Sequence, residues 1–213
     1  MNSFSKATLP TLVDQLAAID PSLERLVRTY GYPPFWHRNP DFATLVKIIL
    51  EQQVSLASAK AAFDKLEQRI GSVTPQGVLA LSDAELRQCH FSRQKTVYVR
   101  DLSQRVMNGS LALAQLPTLP DEEIHRQLTA VKGIGQWTVE VYLLLALHRL
   151  DVFPLGDLAL VKSMQEQRLV RASSGKDQMR KRAMCWRPYR SVAVILLWHA
   201  YLTRRNKAMP LPS

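Results

Sequence analysis

Apolar residues recur at helical spacing along most of the chain, and capping residues mark where the helices begin and end. Asp20 and Pro21 form an N-cap and first-turn pair ahead of an apolar stripe that ends at Gly31. Ser82, with Glu85 three residues later, has the pattern of a capping box. The sequence has no convincing run of alternating apolar and polar positions, the pattern that predicts strands. We therefore predict an all-α protein of about nine to eleven helices.

Two proline-rich connectors separate groups of these helices. They are residues 31–36 (GYPPFW) and 116–120 (LPTLP). Residues 192–200 predict a largely buried helix, because their apolar positions leave no polar face. Residues 171–176, which are small, polar and basic, predict an exposed loop.

The segment from Asp121 to about His148 predicts two helices joined by a glycine turn, residues 133–135. The glycines permit left-handed backbone angles and let a phosphate approach closely, while Ile134 fills the space between the helices. Gln136 begins the second helix, where backbone amides favour an anion, and Lys132 adds a cation beside them. The pattern predicts a hairpin that binds a nucleic-acid backbone. An ordinary helical turn without a ligand is the alternative.

Asp157 follows Gly156 and precedes an apolar run, so it predicts the N-cap of a helix. Backbone amides at a helix start favour the charged form of a carboxylate. A carboxylate in this position is therefore also a candidate catalyst, one that could act on a sugar–base bond. A cap without a catalytic role is the alternative.

Composition favours a nucleic-acid partner. Lys and Arg outnumber Asp and Glu by 28 to 18, giving a formal net charge of +10 and a pI near 9.9, which favours polyanions. The cysteines Cys89 and Cys185 are too few for a disulfide framework or an iron–sulfur cluster, and the histidines lack metal-ligand spacing. Signal-peptide and membrane-span patterns are not evident. We expect a protein of the prokaryotic cytoplasm (nucleoid) or the eukaryotic nucleus.

Four stretches carry a resemblance to a known family. They are IILEQQVSLASAKAA at 48–62, VKGIGQWTVE at 131–140, VFPLGDLAL at 152–160 and WRPYRSVA at 186–193. Together they resemble the helix-hairpin-helix (HhH-GPD) DNA glycosylase superfamily, in particular its DNA-3-methyladenine glycosylase II branch. The resemblance implies a single all-α domain, residues 1–213, with two lobes and a DNA-binding cleft between them. One lobe would comprise about residues 1–36 and 158–213, and the other about residues 37–157.

The resemblance also implies an activity. Members of this branch hydrolyse the N-glycosidic bond of alkylated purines, such as 3-methyladenine and 7-methylguanine, and leave an abasic site in duplex DNA. Asp157 occupies the catalytic position, where it would stabilise the oxocarbenium-like sugar or orient the attacking water. Lyase members carry a lysine two residues after the second hairpin glycine. Trp137 stands there in this chain, so no Schiff base can form at that position, which predicts a monofunctional enzyme.

Further site residues follow from the same resemblance. Gln53 or Val54 is the wedge that fills the gap left by an extruded nucleotide, with a polar helix end as the alternative reading. Trp198 is interpreted as a core residue. The candidates for an aromatic base pocket are Trp137 and Trp186, for which a core anchor is the alternative, together with Phe35 and Trp36 near the first connector. The candidates for contacts to the DNA backbone are Lys132, Gly133, Ile134, Gly135, Gln136, Thr138 and Arg190.

Two other functions stay open at this point. One is a related glycosylase for deaminated, oxidised or mismatched bases, and the other is a non-catalytic helix-hairpin-helix DNA-binding protein. The expected partner is damaged double-stranded DNA, bound by a monomer without an obligate protein partner or a membrane. No catalytic metal or organic cofactor is expected. The resemblance implies a structural sodium or potassium ion at the backbone carbonyls of Val131 and Gly133.

Overall fold

The computed structural model describes residues 3–206, in which twelve α-helices and two 3-10 helices make up the regular structure. The only β pairing within these residues is an isolated antiparallel bridge between Ser3 and Arg149. The all-α prediction is therefore confirmed. The α-helices are α1 (Leu9–Ile19), α2 (Pro21–Tyr30), α3 (Phe42–Glu51), α4 (Leu56–Ile70), α5 (Pro75–Ala80), α6 (Asp83–Gln88), α7 (Arg93–Met107), α8 (Asp121–Thr129), α9 (Gln136–Leu145), α10 (Leu158–Glu166), α11 (Lys176–Arg182) and α12 (Arg190–Thr203). The 3-10 helices are Leu113–Thr118 and Ala183–Trp186.

The predicted caps are confirmed, but the predicted number of helices was too low. The Asp20 side chain accepts the Ser22 amide at 2.9 Å, and Ser82 and Glu85 form the capping box. The helix α11 has seven residues, of which only Met179 is buried. A short, charged helix of this kind has no apolar period, so the sequence pattern did not reveal it.

The chain divides into two compact units. Unit 1 comprises the residues up to His37 and those from Leu143 onward, and unit 2 comprises Arg38–Tyr142. Residues 143–157, which the sequence placed with the middle of the chain, fall in unit 1 by this division. Asp157 is therefore in the same unit as the first and last helices of the chain.

In unit 1 the helix α12 lies at the centre and packs against α1, α2 and α10. Residues 191–198 of α12 are all buried, as predicted for a helix without a polar face. Ser191, in its first turn, accepts the Val152 amide through its hydroxyl at 2.9 Å. This bond joins α12 to the chain segment that leads to Asp157.

In unit 2 the helix α7 packs against α3, α5 and α6, and α3 also packs against α4. A nearly buried ion pair holds the start of this unit. Arg38 donates two hydrogen bonds to Glu51, at 2.9 and 2.7 Å. Each charge is satisfied by the other, which burial requires, and the pair ties the segment before α3 to the last residue of that helix.

None of the helices within residues 3–206 combines the length and the apolar character needed to span a bilayer. Across the same residues, His, Cys, Asp and Glu side chains do not cluster in threes or more in a way that would bind a metal ion. Cys89 is buried and Cys185 is exposed, and both are free thiols.

Candidate functional site

The predicted hairpin is formed by α8, a tight turn and α9. The Ile134 amide donates to the Val131 carbonyl at 3.1 Å and closes the turn, and Ile134 is 4% exposed between the helices. Gly133 has a φ of 78°, in the left-handed region. A Cβ atom at Gly133 would overlap the ring of Tyr98. Glycine is therefore required at this position for two reasons, the backbone angle and the space.

Gly135 differs from Gly133 in both respects. It is not among the residues with positive φ, and a Cβ atom there would have no other atom within 4 Å. Its carbonyl accepts the first hydrogen bond of α9, from the Val139 amide at 3.2 Å. The backbone at Gly135 is therefore an open surface at a helix N-terminus, where an anion is favoured.

The helix α7 supports the hairpin from within unit 2. Asp101 accepts the Lys132 amide at 2.9 Å and pairs with Arg105 at 2.8 Å. Burial opposes the charge on Asp101, but the bonds from Lys132 and Arg105 outweigh it and hold the pKa of this carboxyl below its usual value. The Lys132 backbone is thereby fixed while its side chain stays exposed.

The turn between α3 and α4 contains the predicted wedge. Gln52 donates through Nε2 to the Gly133 carbonyl at 2.9 Å and to the Thr138 hydroxyl at 3.0 Å. Thr138 is 1% exposed, so its side chain braces the hairpin from within and is removed from the predicted contacts to DNA. Gln53 is exposed with a φ of 59°, and Val54 is 46% exposed. The two neighbouring glutamines are therefore used differently, since Gln52 braces the hairpin and Gln53 projects outward.

We expect Gln52→Ala to lower the free energy of unfolding by about 1–3 kcal/mol, because it removes two hydrogen bonds and leaves a carbonyl without its donor. Urea denaturation followed by circular dichroism measures this change. Gln53→Ala is the matched control and should shift stability by less than about 0.5 kcal/mol. Equal effects of the two variants would contradict the bracing role of Gln52.

Asp157 is the N-cap of α10, as predicted. Its Oδ1 accepts the Leu160 amide at 2.8 Å and the indole N–H of Trp198 at 2.9 Å. Trp198 lies in α12, is 3% exposed, and has its ring centroid 6.4 Å from that of Trp36. The carboxylate is half-buried, so it is held in one orientation while part of it remains accessible to solvent.

The role of Trp198 was missed at the level of sequence. Its assignment to the core is confirmed by its burial, but its hydrogen bond to Asp157 was not foreseen. The available signal was the residue type, because a buried indole N–H generally finds a hydrogen-bond acceptor. Which acceptor it finds depends on the packing of α12 against α10.

An aromatic cluster lies near the start of unit 1. The half-buried Phe35 has its ring centroid 4.6 Å from that of His148, and His37 Nδ1 lies 2.9 Å from His148 Nε2. Burial, together with the nearby His37, lowers the pKa of His148 to about 4. His148 is therefore uncharged near neutral pH, so this surface does not repel a cationic ring. The two histidines were not singled out from the sequence.

Two of the predicted site residues are used inside unit 1. Trp186 is 0% exposed and donates its indole N–H to Asp20 at 2.6 Å, which favours the alternative that it is a core anchor. Arg190 donates to the Asp151 carboxylate at 2.6 Å, so its guanidinium group is engaged in an ion pair within unit 1. We remove both from the candidate site. Trp137 lies in the first turn of α9 in unit 2 and is half-buried.

Comparison with known proteins adds independent information. Residues 46–188 match the model of the HhH-GPD superfamily base excision DNA repair proteins. A putative DNA-3-methyladenine glycosylase of Bacillus subtilis is 28% identical, over 94% of this chain and 68% of its own length. A DNA-3-methyladenine glycosidase structure from Bacillus halodurans has a TM-score of 0.77 and 32% identity, covering 98% of this chain and 96% of that one. A Schizosaccharomyces pombe 3-methyladenine DNA glycosylase in complex with abasic DNA has a TM-score of 0.79 and 26% identity, covering 88% and 95%.

Proposed function

This chain belongs to the HhH-GPD superfamily of base excision DNA repair proteins, and on that basis we propose that it is a monofunctional DNA glycosylase. The reaction is hydrolysis of the N-glycosidic bond of alkylated purines, such as 3-methyladenine and 7-methylguanine, in duplex DNA. The observation that carries this proposal is the Asp157 carboxylate, held by the Leu160 amide and the Trp198 indole in a half-buried residue at a helix start. The relatives named as 3-methyladenine glycosylases support the choice of substrate.

The hairpin binds the phosphate backbone of DNA. The open backbone at Gly135 and the amides at the start of α9 bind a phosphate, and the exposed Lys132 adds a positive charge. A base within a duplex is inaccessible, so the damaged nucleotide is extruded. Gln53 or Val54, both exposed in the turn between α3 and α4, fills the gap in the base stack.

The chemical step needs one carboxylate. An N-alkylated purine is positively charged, so when its bond to the C1′ atom of the sugar breaks, the bonding electrons leave with the base and neutralise it. The sugar becomes oxocarbenium-like, and the negative charge of Asp157 stabilises it. The oxygen of a water molecule then bonds to C1′ and releases a proton, leaving an abasic site.

Aromatic side chains bind the extruded base. Trp36 is 5% exposed and packs beside Trp198, so it is a core residue of unit 1 and is removed from the candidate pocket. Phe35, beside the uncharged His148, is the candidate in unit 1, and Trp137 is the candidate in unit 2. Electron-rich rings attract a cationic base through cation–π and stacking interactions. This preference for positive charge favours alkylated purines over the neutral deaminated or oxidised bases of the alternative proposal.

The proposal is tested by incubating the protein with a methylated duplex and separating the released bases by chromatography. We expect free 3-methyladenine or 7-methylguanine and an abasic strand. Sodium borohydride should trap no covalent adduct, because Trp137 replaces the lysine that would form a Schiff base. Release of uracil or an oxidised base in preference to methylated purines would favour the alternative glycosylase. No release of any base would favour the non-catalytic DNA-binding protein.

Three further expectations belong to this proposal. The backbone carbonyls of Val131 and Gly133 would hold a sodium or potassium ion, because each accepts a hydrogen bond and retains a second lone pair. The ion would supply positive charge at the hairpin. The enzyme acts as a monomer, because a single lesion is bound by one hairpin and one carboxylate. Its location is that of genomic DNA, the nucleoid or the nucleus.

A further inference from the structure

We propose that the exposed cations within residues 168–181 form a second DNA-binding surface, which contacts the phosphate backbone of the duplex and is distinct from the hairpin. The inference rests on the proposed function, since it takes duplex DNA as the ligand. It begins with the distribution of charge between the two units. The segments of unit 1 carry 16 Lys and Arg against 7 Asp and Glu, a net charge of +9, whereas residues 38–142 carry 12 against 11, a net charge of +1.

The unit that contains the hairpin is thus almost neutral, and its helix α8 begins with three acidic residues. The positive charge that favours a polyanion lies in unit 1. Residues 168–190 alone carry eight Lys and Arg and a single acidic residue, Asp177. This segment is therefore the main source of the excess charge.

Four of these eight cations form ion pairs, two of them with the same carboxylate. The pairs are Arg180 with Asp177, Arg182 with Asp20, and Arg187 and Arg190 with Asp151. The other four are exposed, and within residues 3–206 their side chains make no ion pair or hydrogen bond; they are Arg168, Arg171, Lys176 and Lys181. These four can neutralise phosphates without first breaking an internal pair, so their contacts contribute fully to affinity.

The segment is ordered by its own hydrogen bonds. The Ser174 amide donates to the Arg171 carbonyl at 2.9 Å, and the Gln165 side chain in α10 donates to the Ala172 carbonyl at 2.9 Å. Lys176 and Lys181 line the same surface depression. Because the backbone is already ordered, binding requires little further loss of conformational entropy.

The chemistry of the segment favours a phosphate backbone over other anionic partners. Residues 168–181 contain no aromatic residue that could stack on unpaired bases. Their large apolar side chains, Leu169, Val170 and Met179, are buried or half-buried, whereas a surface that binds lipid generally exposes such residues. Within residues 168–181 no large apolar side chain is exposed, and such a surface suits the regular phosphates of a duplex.

The test compares two triple variants of the full chain for binding to an undamaged duplex over a range of salt concentrations. The first carries Arg171→Gln, Lys176→Gln and Lys181→Gln, and leaves Arg168 in place because its φ is 59°. Each phosphate contact contributes about 0.9 to the slope of log Kobs against log salt. We expect this slope to fall by about 2 to 3 and the Kd at low salt to rise by tenfold or more, on the order expected for lost phosphate contacts.

The control variant carries Lys6→Gln, Lys65→Gln and Arg87→Gln, which removes the same net charge from exposed positions elsewhere. Its slope should change by less than about 1, which separates local contacts from long-range attraction. Equal salt slopes for the two triple variants would overturn the inference. So would a first variant that binds the duplex like wild type but has lost binding to phosphatidylserine vesicles. If the wild-type chain releases no methylated base but the first triple variant still lowers the salt slope, the proposed activity would be refuted and this DNA-binding surface supported.

Discussion

Replacement of Asp157 by asparagine is expected to abolish release of methylated bases while duplex binding is retained. The asparagine side chain keeps an oxygen that can accept the Leu160 amide and the Trp198 indole, which Asp157 accepts at 2.8 and 2.9 Å, and asparagine is as good an N-cap as aspartate. The fold should therefore persist. The negative charge is lost, and with it the stabilisation of the oxocarbenium-like sugar. We expect a decrease on the order of 10³-fold or more in the single-turnover rate, about 4 kcal/mol of transition-state stabilisation.

Single-turnover release from a methylated duplex, with enzyme in excess, measures this effect separately from binding. Asp14→Asn is the matched control, since Asp14 is an exposed acid of unit 1 that accepts a hydrogen bond from Tyr32. It should leave the rate within about twofold of wild type. If Asp157→Asn released bases at the wild-type rate, Asp157 would not be the catalytic residue and the reaction would depend on another group.

A smaller decrease in the single-turnover rate is expected when Trp198, which orients the Asp157 carboxylate, is replaced. Trp198→Phe keeps the ring in the core but removes the indole donor to Asp157, and should lower the rate by about tenfold, or ~1.4 kcal/mol. Trp36→Phe provides the same change of residue at a neighbouring ring and should not affect the orientation of Asp157. A rate decrease for Trp198→Phe without a change in duplex affinity would identify a positioning role.

Gly133→Ala is expected to destabilise the hairpin by about 2–5 kcal/mol. Alanine in the left-handed region costs roughly 1–2 kcal/mol, and forcing a methyl group into a packed site costs about 1–3 kcal/mol. Both penalties apply here, because Gly133 has a φ of 78° and a Cβ atom would overlap the Tyr98 ring. Urea denaturation measures the loss of stability, and fluorescence anisotropy with a labelled duplex should show a parallel loss of affinity.

Gly135→Ala separates folding from binding, because this glycine has neither constraint. Its stability should stay within about 0.5 kcal/mol of wild type, while the added methyl group covers the backbone where the phosphate approaches and lowers duplex affinity. Tyr98→Ala in the Gly133→Ala background should remove the steric part of the penalty and leave the backbone part. A Gly133→Ala variant as stable as wild type would contradict this account of the turn.

Much of the fold and part of the candidate site could be predicted from the sequence. The helix caps at Asp20, Ser82 and Asp157 depend on residues two to three positions apart, so local spacing is sufficient to predict them. The hairpin turn is equally local. By contrast, the seven-residue α11 escaped prediction because its single buried residue, Met179, has no periodic neighbours.

The sequence by itself determined the all-α class, the positions of the caps, the glycine turn and the presence of a lone acid at a helix start, because each depends on neighbours along the chain. Only the tertiary structure decided which distant side chains support the hairpin turn and the acid. Gln52 reaches the Gly133 carbonyl across 81 residues, and Trp198 reaches Asp157 across 41. Trp186 resembled a pocket residue by motif yet lies fully buried against Asp20. Such pairings follow from how helices pack, and helical periodicity specifies which face is apolar but not which distant residue that face will meet.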